Sequence, residues 1–420
     1  MGKYFSSKIF LQSSKLILAF ILMLGFTNAS GFGVLTHEAI IDAAWDSNIV
    51  PLLKKKFPNA TSEDISKAHA YAYGGAIMPD MGYFPFGNIF FTDLLHYVRS
   101  GDFVINILSE AQNINEFAFA LGALAHYISD RDGHPDAVNL SVSMVYPKDR
   151  KKFGDTISYL EDPIAHRRME FGFDVLQVAR GKFAPKSYHD FIGFKVAEPL
   201  LERAFLLTYG LELKNVFVDL PLAINTFRWS VKTFLPELTN AAWISKKKDI
   251  IASQPGITRK QFNYDINRAK YNKEWGTNYH KPGFDIYVMA FVIKFFPKVG
   301  LASILKFKPP TQPAEALFLK SFTRIVSDYS VVLRKCETHS LQLDNINFDT
   351  GRKTSPCEYS LVDDTYKQLL LKLPSQPIKQ VNDKLRENIL DFYGNILPNE
   401  KSDNEERKFS AAIARLKSGK

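Results

Sequence analysis

Apolar positions recur at helical spacing along almost the whole chain, and strand-like alternation is scarce. The pattern predicts helices over about 36–47, 61–76, 117–130, 162–179, 193–212, 222–252, 313–336 and 376–395. Several carry their own start signals. Thr36 stands where it can cap the first helix. Thr61 and Asp64 have the spacing of a capping box. Asp162-Pro163 sets an N-cap before a proline at the first helical position. The stretch 117–130 is apolar nearly all round, which marks a buried helix. Gly133 is expected to end it. No repeat stands out, and residues 399–408 are charged ahead of a short amphipathic end. These elements imply an all-α fold, a helical bundle.

The first 31 residues follow another logic. Lys3, Lys8 and Lys15 precede the apolar run 16–26, and small residues follow at 27–31. This is the layout of a secretory signal peptide, with cleavage after Ala29 or after Gly31. The run is too short to span a bilayer well, and no cysteine follows it. The mature chain is therefore expected to be exported, to the periplasm or outside the cell, with no transmembrane segment. The apolar stretch Tyr287–Leu305 is broken by Lys294, Pro297 and Lys298, so a buried helical hairpin is expected there.

Apolar residues make up 46% and charged residues 23% of the chain, which excludes a disordered, collagen-like or disulfide-dense protein. The net charge is +9, and removing the signal leaves 50 basic against 44 acidic residues. No long basic stripe accompanies that excess, so it is no nucleic-acid footprint. The two cysteines, Cys336 and Cys357, flank a polar loop. Export favours a disulfide between them, and no Cys-x-x-Cys spacing suggests metal.

Six of the nine histidines lie in the first 170 residues. His126 is the one strongly polar side chain from Phe117 to Ile128, and Asp130 follows on the same helix face. Burying such a pair costs on the order of several kcal/mol unless it is paired or coordinated. His166 and Glu170 repeat the i, i+4 geometry. Asp80, His96, His37 and His134 complete the set. Inward-facing imidazoles and carboxylates from several helices build multinuclear metal sites. Ligands without thiolate suit zinc in a hydrolytic role. Eight are too many for one ion and suit two or three.

In chain order the residues read His37, Asp80, His96, His126-x-x-x-Asp130, His134, His166-x-x-x-Glu170. This set resembles the zinc-dependent phospholipase C family, whose all-helical fold is shared by single-strand-specific zinc nucleases. The resemblance covers about residues 32–250. It implies one zinc on Asp80, His96, His126 and Asp130, and a second on His134, His166 and Glu170. A third would sit on His37, a bridging Asp130 and the backbone of the mature N-terminal residue. That residue is usually Trp in the family, and Phe32 takes its place here if cleavage follows Gly31. The family more often has five residues between the aspartate and the next histidine. Here there are three, so His134 is expected to reach its metal from a tighter loop.

The resemblance implies an exported zinc-dependent phosphodiesterase. It would hydrolyse phospholipids at a membrane surface to diacylglycerol and a phosphorylated head group, through zinc-activated water with Asp80 as ligand and base. The alternatives are a zinc nuclease or phosphatase of the same fold, and a non-catalytic zinc-bearing surface protein. The main reading includes no nucleic acid. The aromatic segment 81–91 could receive acyl chains, touch a membrane, stack bases or simply pack in the core. His69 reads as a satisfied core histidine, and His189, His280 and His339 as solvated. The basic runs 54–56 and 246–248 read as exposed helix faces. The expected organisation is a signal peptide over 1–31, a catalytic domain over 32–250 and a helical C-terminal extension of unassigned role over 251–420.

Overall fold

The computed structural model describes residues 33–180, 194–231, 247–248, 251, 256, 307–338, 340–375, 381–394 and 404–418. Among these the architecture is helical, with one isolated antiparallel bridge between Ile346 and Lys353. The first half supplies α1 (Val34–Ala44), α2 (Val50–Lys56), α3 (Ser62–Ile77), α4 (Ile89–Tyr97), α5 (Ser100–Ser109) and α6 (Ile114–Gly133). It continues with α7 (Asn139–Val145), α8 (Pro147–Phe153), α9 (Pro163–Arg180), α10 (Glu198–Tyr209) and α11 (Leu220–Trp229). The second half adds α12 (Gln312–Glu337), α13 (Ser360–Lys372), α14 (Asp383–Tyr393) and α15 (Asn404–Ser418).

The buried helix expected from its all-round apolarity is α6, whose residues from Glu116 to Asp130 are all buried. It crosses α3 at two facing glycines. A Cβ on Gly75 would collide with the Phe119 carbonyl oxygen, and one on Gly122 with that of Ala72. The missing side chains let the two backbones touch and fix the spacing between the helices. α12 packs against α6 and α1. It buries Phe318, Phe322, Ile325 and Tyr329, and the Tyr329 hydroxyl donates to the Leu121 carbonyl at 2.8 Å. These side chains join those of the first half in a single hydrophobic cluster. Tyr366 of α13 stacks on Phe392 of α14 at 3.7 Å, and Tyr393 meets Phe409 of α15 edge-on.

Two caps lie where local spacing puts them. Thr61 and Asp64 form the reciprocal capping box, and the Asp162 carboxylate accepts from the Ile164 and Ala165 N–H groups. Thr36 does not cap α1, which starts earlier, at Val34. The N–H groups of Leu35 and Thr36 and the Thr36 hydroxyl all donate to Asp174 of α9, at 3.1, 3.0 and 2.7 Å. A carboxylate from a distant helix satisfies the first turn, so no local cap is needed. Gly133 does not end α6 either. It is helical (φ −70°, ψ −43°), and the chain runs on into a π-helical turn, His134–Val138. His134 thus comes from a widened helical turn, where a tight loop was expected. α10 is shorter than its apolar pattern and ends at Gly210 with φ 65°.

Cys336 and Cys357 are both free, against the expected bridge. Cys336 sits on the last turn of α12 among Leu52, Phe117 and Leu341, while Cys357 is exposed ahead of α13. The aromatic segment 81–91 is mostly core. Phe84 packs on Phe227 at 4.6 Å, and Phe91 on Phe217 and Phe205 at 5.0 and 5.6 Å. Lys54, Lys55 and Lys56 are exposed, as are Lys247 and Lys248. The predicted signal peptide, the apolar stretch 287–305, and His189, His280 and His339 lie outside the described residues. No helix among the described residues is long and apolar enough to cross a membrane.

Candidate metal centre

Eight of the nine residues singled out in the sequence converge in one buried cluster; Phe32 lies outside the described residues. α1 brings His37, the 3-10 turn Met78–Tyr83 brings Asp80, and α4 brings His96. α6 brings His126 and Asp130, the π turn brings His134, and α9 brings His166 and Glu170. Each is 3% exposed or less.

Asp130 is the hub. Its oxygens lie 3.1 Å from His126 Nε2, 3.4 Å from His37 Nε2, 3.6 Å from His96 Nε2 and 3.9 Å from His134 Nε2. Asp80 lies 3.4 Å from His96 Nε2 and 4.0 Å from His37 Nε2. Glu170 lies 2.9 Å from His166 Nδ1 and 3.5 Å from His134 Nε2. The His37 and His126 rings stack at 4.3 Å.

The far nitrogens fix the tautomers. His96 Nδ1 donates to the Thr92 carbonyl at 2.9 Å, and His126 Nδ1 to the Ala76 carbonyl at 2.8 Å. The Ser129 hydroxyl donates to the His126 carbonyl, so its oxygen accepts from His37 Nδ1 at 2.8 Å. Each neutral ring therefore aims an unprotonated Nε2 into the cluster. His166 is turned over. Its Nε2 donates to Asn139 Oδ1 at 2.9 Å and leaves Nδ1 facing inward.

His96 Nε2, His126 Nε2, His166 Nδ1, Asp80 Oδ1 and both Asp130 oxygens are buried without a well-directed hydrogen bond. Orphaned buried polar atoms are costly. These face one another, and all of them are good ligand atoms. Two subsets bring one ligand atom per residue within 4.8 Å: His37 with His126 and Asp130, and Asp80 with His96 and His126. The donor set fits zinc, and the outer hydrogen bonds are those that orient metal-ligating imidazoles.

Electrostatics without a cation is conflicted. Burial drives His37 well below the usual histidine range, with His126 adding to it, and drives His166 down to about 3. Burial also opposes charge on His126 and His134, but Asp130 holds each up to about 9. Asp130 resists its own burial because His126, His134 and His37 surround it, and it stays well below the carboxylate range. Burial raises Asp80 and pushes Glu170 well above its usual value. A divalent cation selects neutral imidazoles and ionised carboxylates together, and so removes the conflict.

Sequence reasoning missed a contributor. Asp349 comes from the second half and is 1% exposed. Its Oδ1 lies 3.4 Å from His134 Nδ1, and its Oδ2 accepts from Tyr97 and Tyr359 at 2.8 and 2.6 Å. No ligand motif surrounds it. The one local signal is a glycine turn at Asn347–Gly351 in a polar loop. His69, by contrast, stays outside the cluster. It stacks on Trp45 at 3.8 Å and pairs with Asp42 at 2.9 Å, as a satisfied structural histidine does.

Comparison with curated proteins and with solved structures finds no match. Residues 36–217 match the family model described as zinc dependent phospholipase C, a span that runs from before His37 to beyond Glu170. The segment that builds the histidine–carboxylate cluster belongs to the zinc-dependent phospholipase C family.

Proposed function

We propose that the protein is an exported phospholipase C with two or three zinc ions, cleaving phospholipids on the glycerol side of the phosphate. One observation carries the reading: four imidazole Nε2 atoms converge on Asp130, and the rings of His37, His96 and His126 are held by a hydrogen bond at Nδ1. In this reading Asp80, His96, His126 and Asp130 hold one ion. His134, His166 and Glu170 hold a second, and His37 with Asp130 and the Phe32 backbone a third. Bound zinc supplies neutralisation of phosphate charge and acidifies the attacking water.

The chain's own residues do the rest. Asp80 accepts the proton of the attacking water. The water oxygen bonds to phosphorus, the glycerol oxygen leaves, and the proton passes to it, releasing diacylglycerol. Ser129, Thr92, Ala76 and Asn139 keep the imidazoles aimed, so no reorganisation is needed during the step. The buried cluster excludes bulk water and strengthens each of these interactions.

The test is the zinc content of the purified full chain, with hydrolysis of phosphatidylcholine vesicles and of single-stranded DNA before and after chelation. Two or three zinc ions and chelator-sensitive release of phosphocholine support the reading. Hydrolysis of DNA alone replaces it with the nuclease. Zinc without either activity points to a structural site.

A further inference from the structure

We infer that Asp349 is a positioning residue of the metal centre: its carboxylate orients His134 through Nδ1, and its backbone carbonyl orients His166 through Asn139. The inference rests on the reading that the cluster holds zinc. It reaches beyond the matched segment, which ends well before residue 349.

Asp349 is presented by a hairpin. The Asn347 N–H donates to the Arg352 carbonyl at 2.8 Å and the Thr354 N–H to the Asn345 carbonyl at 3.0 Å. Gly351 closes the turn at φ 68°, where any Cβ would also crowd the Arg131 carbonyl. The Phe348 N–H donates to the His96 carbonyl at 3.1 Å, tying the hairpin to a ligand-bearing helix. The residue is thus held from both sides.

Its atoms are allotted without overlap. Oδ2 takes both tyrosine hydroxyls, from Tyr97 and Tyr359. Oδ1 remains for His134 Nδ1. The backbone oxygen accepts from Asn139 Nδ2 at 2.7 Å, which fixes Asn139 Oδ1 as the acceptor for His166 Nε2. Both imidazoles of the proposed second zinc set are therefore braced by one residue. Asp349 meets His134 on the ring edge opposite Nε2, the nitrogen that faces Glu170 and Asp130. It acts through the imidazole and is no ligand itself. A carboxylate behind a metal-bound histidine fixes its tautomer and raises its basicity. A core position with only a packing duty has no use for a buried carboxylate and two tyrosine donors.

The experiment is a zinc titration of the full chain against a competing chelator, with cobalt substitution read by visible absorption. Asp349→Ala is expected to weaken one zinc by roughly 10–100-fold, to leave the remaining zinc at wild-type affinity and to shift the cobalt spectrum. Asp349→Asn keeps an acceptor for Nδ1–H and is expected to recover part of the loss. Tyr359→Phe removes one brace without opening a cavity and is expected to give a smaller shift of the same sign. It decides the matter if Asp349→Ala does not fold. Wild-type zinc affinity and cobalt spectrum in these variants, with only thermal stability lowered, would overturn the inference and leave the metal centre standing. A wild-type chain that binds no zinc overturns the metal centre and this inference with it.

Discussion

At the scale of single residues, the centre is a set of titratable groups that burial would neutralise if nothing held them. Asp80→Asn keeps an oxygen ligand but removes the base. It is expected to retain zinc and to lose about 100-fold or more in kcat, checked by metal analysis and steady-state hydrolysis on the same sample. Asp174 supplies a pH prediction. Burial lifts its pKa to about 7, against Thr36 and Leu35 donors that favour the charge. A carboxylate with a raised folded pKa binds its proton more tightly folded than unfolded. Its contribution to stability is full at acid pH and fades as pH rises from about 4 to about 7. Urea unfolding of chelated wild type and Asp174→Ala at both ends of that window should show the gap between them narrowing with rising pH. The eight ligand types were legible in the sequence because two i, i+4 pairs and one all-apolar helix give burial and direction at once. Asp174 and Asp349 were not. Apart from Tyr359, the side-chain partners described for them lie 138 or more residues away, and neither sits in a local motif.

At the scale of elements, the site depends on how closely two helices approach. α3 leads into the turn that carries Asp80, and α6 carries His126 and Asp130. Gly75→Val is expected to force that crossing apart, costing about 1–3 kcal/mol or more from overpacking and lowering zinc affinity in parallel, by calorimetry and metal titration. Helix identities and the Thr61 and Asp162 caps were legible because they rest on neighbours within one turn. The beginning of α1 and the passage past Gly133 were not. The first is set by a carboxylate of another helix, and the second by a π-helical turn whose extra width has no compositional mark. That turn also explains how three intervening residues suffice to bring His134 to the cluster.

At the scale of the molecule, the second half is no loose appendage among the described residues. Phe318, Ile325 and Tyr329 of α12 are fully or almost fully buried in the cluster that holds α3 and α6. Phe318→Ala is expected to cost about 3–5 kcal/mol and to lower the single unfolding midpoint reported by both near-UV absorption and zinc release. The shift in histidine content near the middle of the chain was legible and marked where the ligands lie. The shared core across that point was not, because an amphipathic helix does not state which surface it covers.

The hairpin that carries Asp349 also orders events in time. Its contacts to Asn139 and Tyr97 span 210 and 252 residues of chain. During synthesis every proposed zinc ligand from His37 to Glu170 is complete long before that hairpin exists. Closing so long a loop is slow and comes late in folding. The braced form of His134 and His166 is therefore reserved for chains that have been made at least as far as residue 349, and order of synthesis becomes order of assembly.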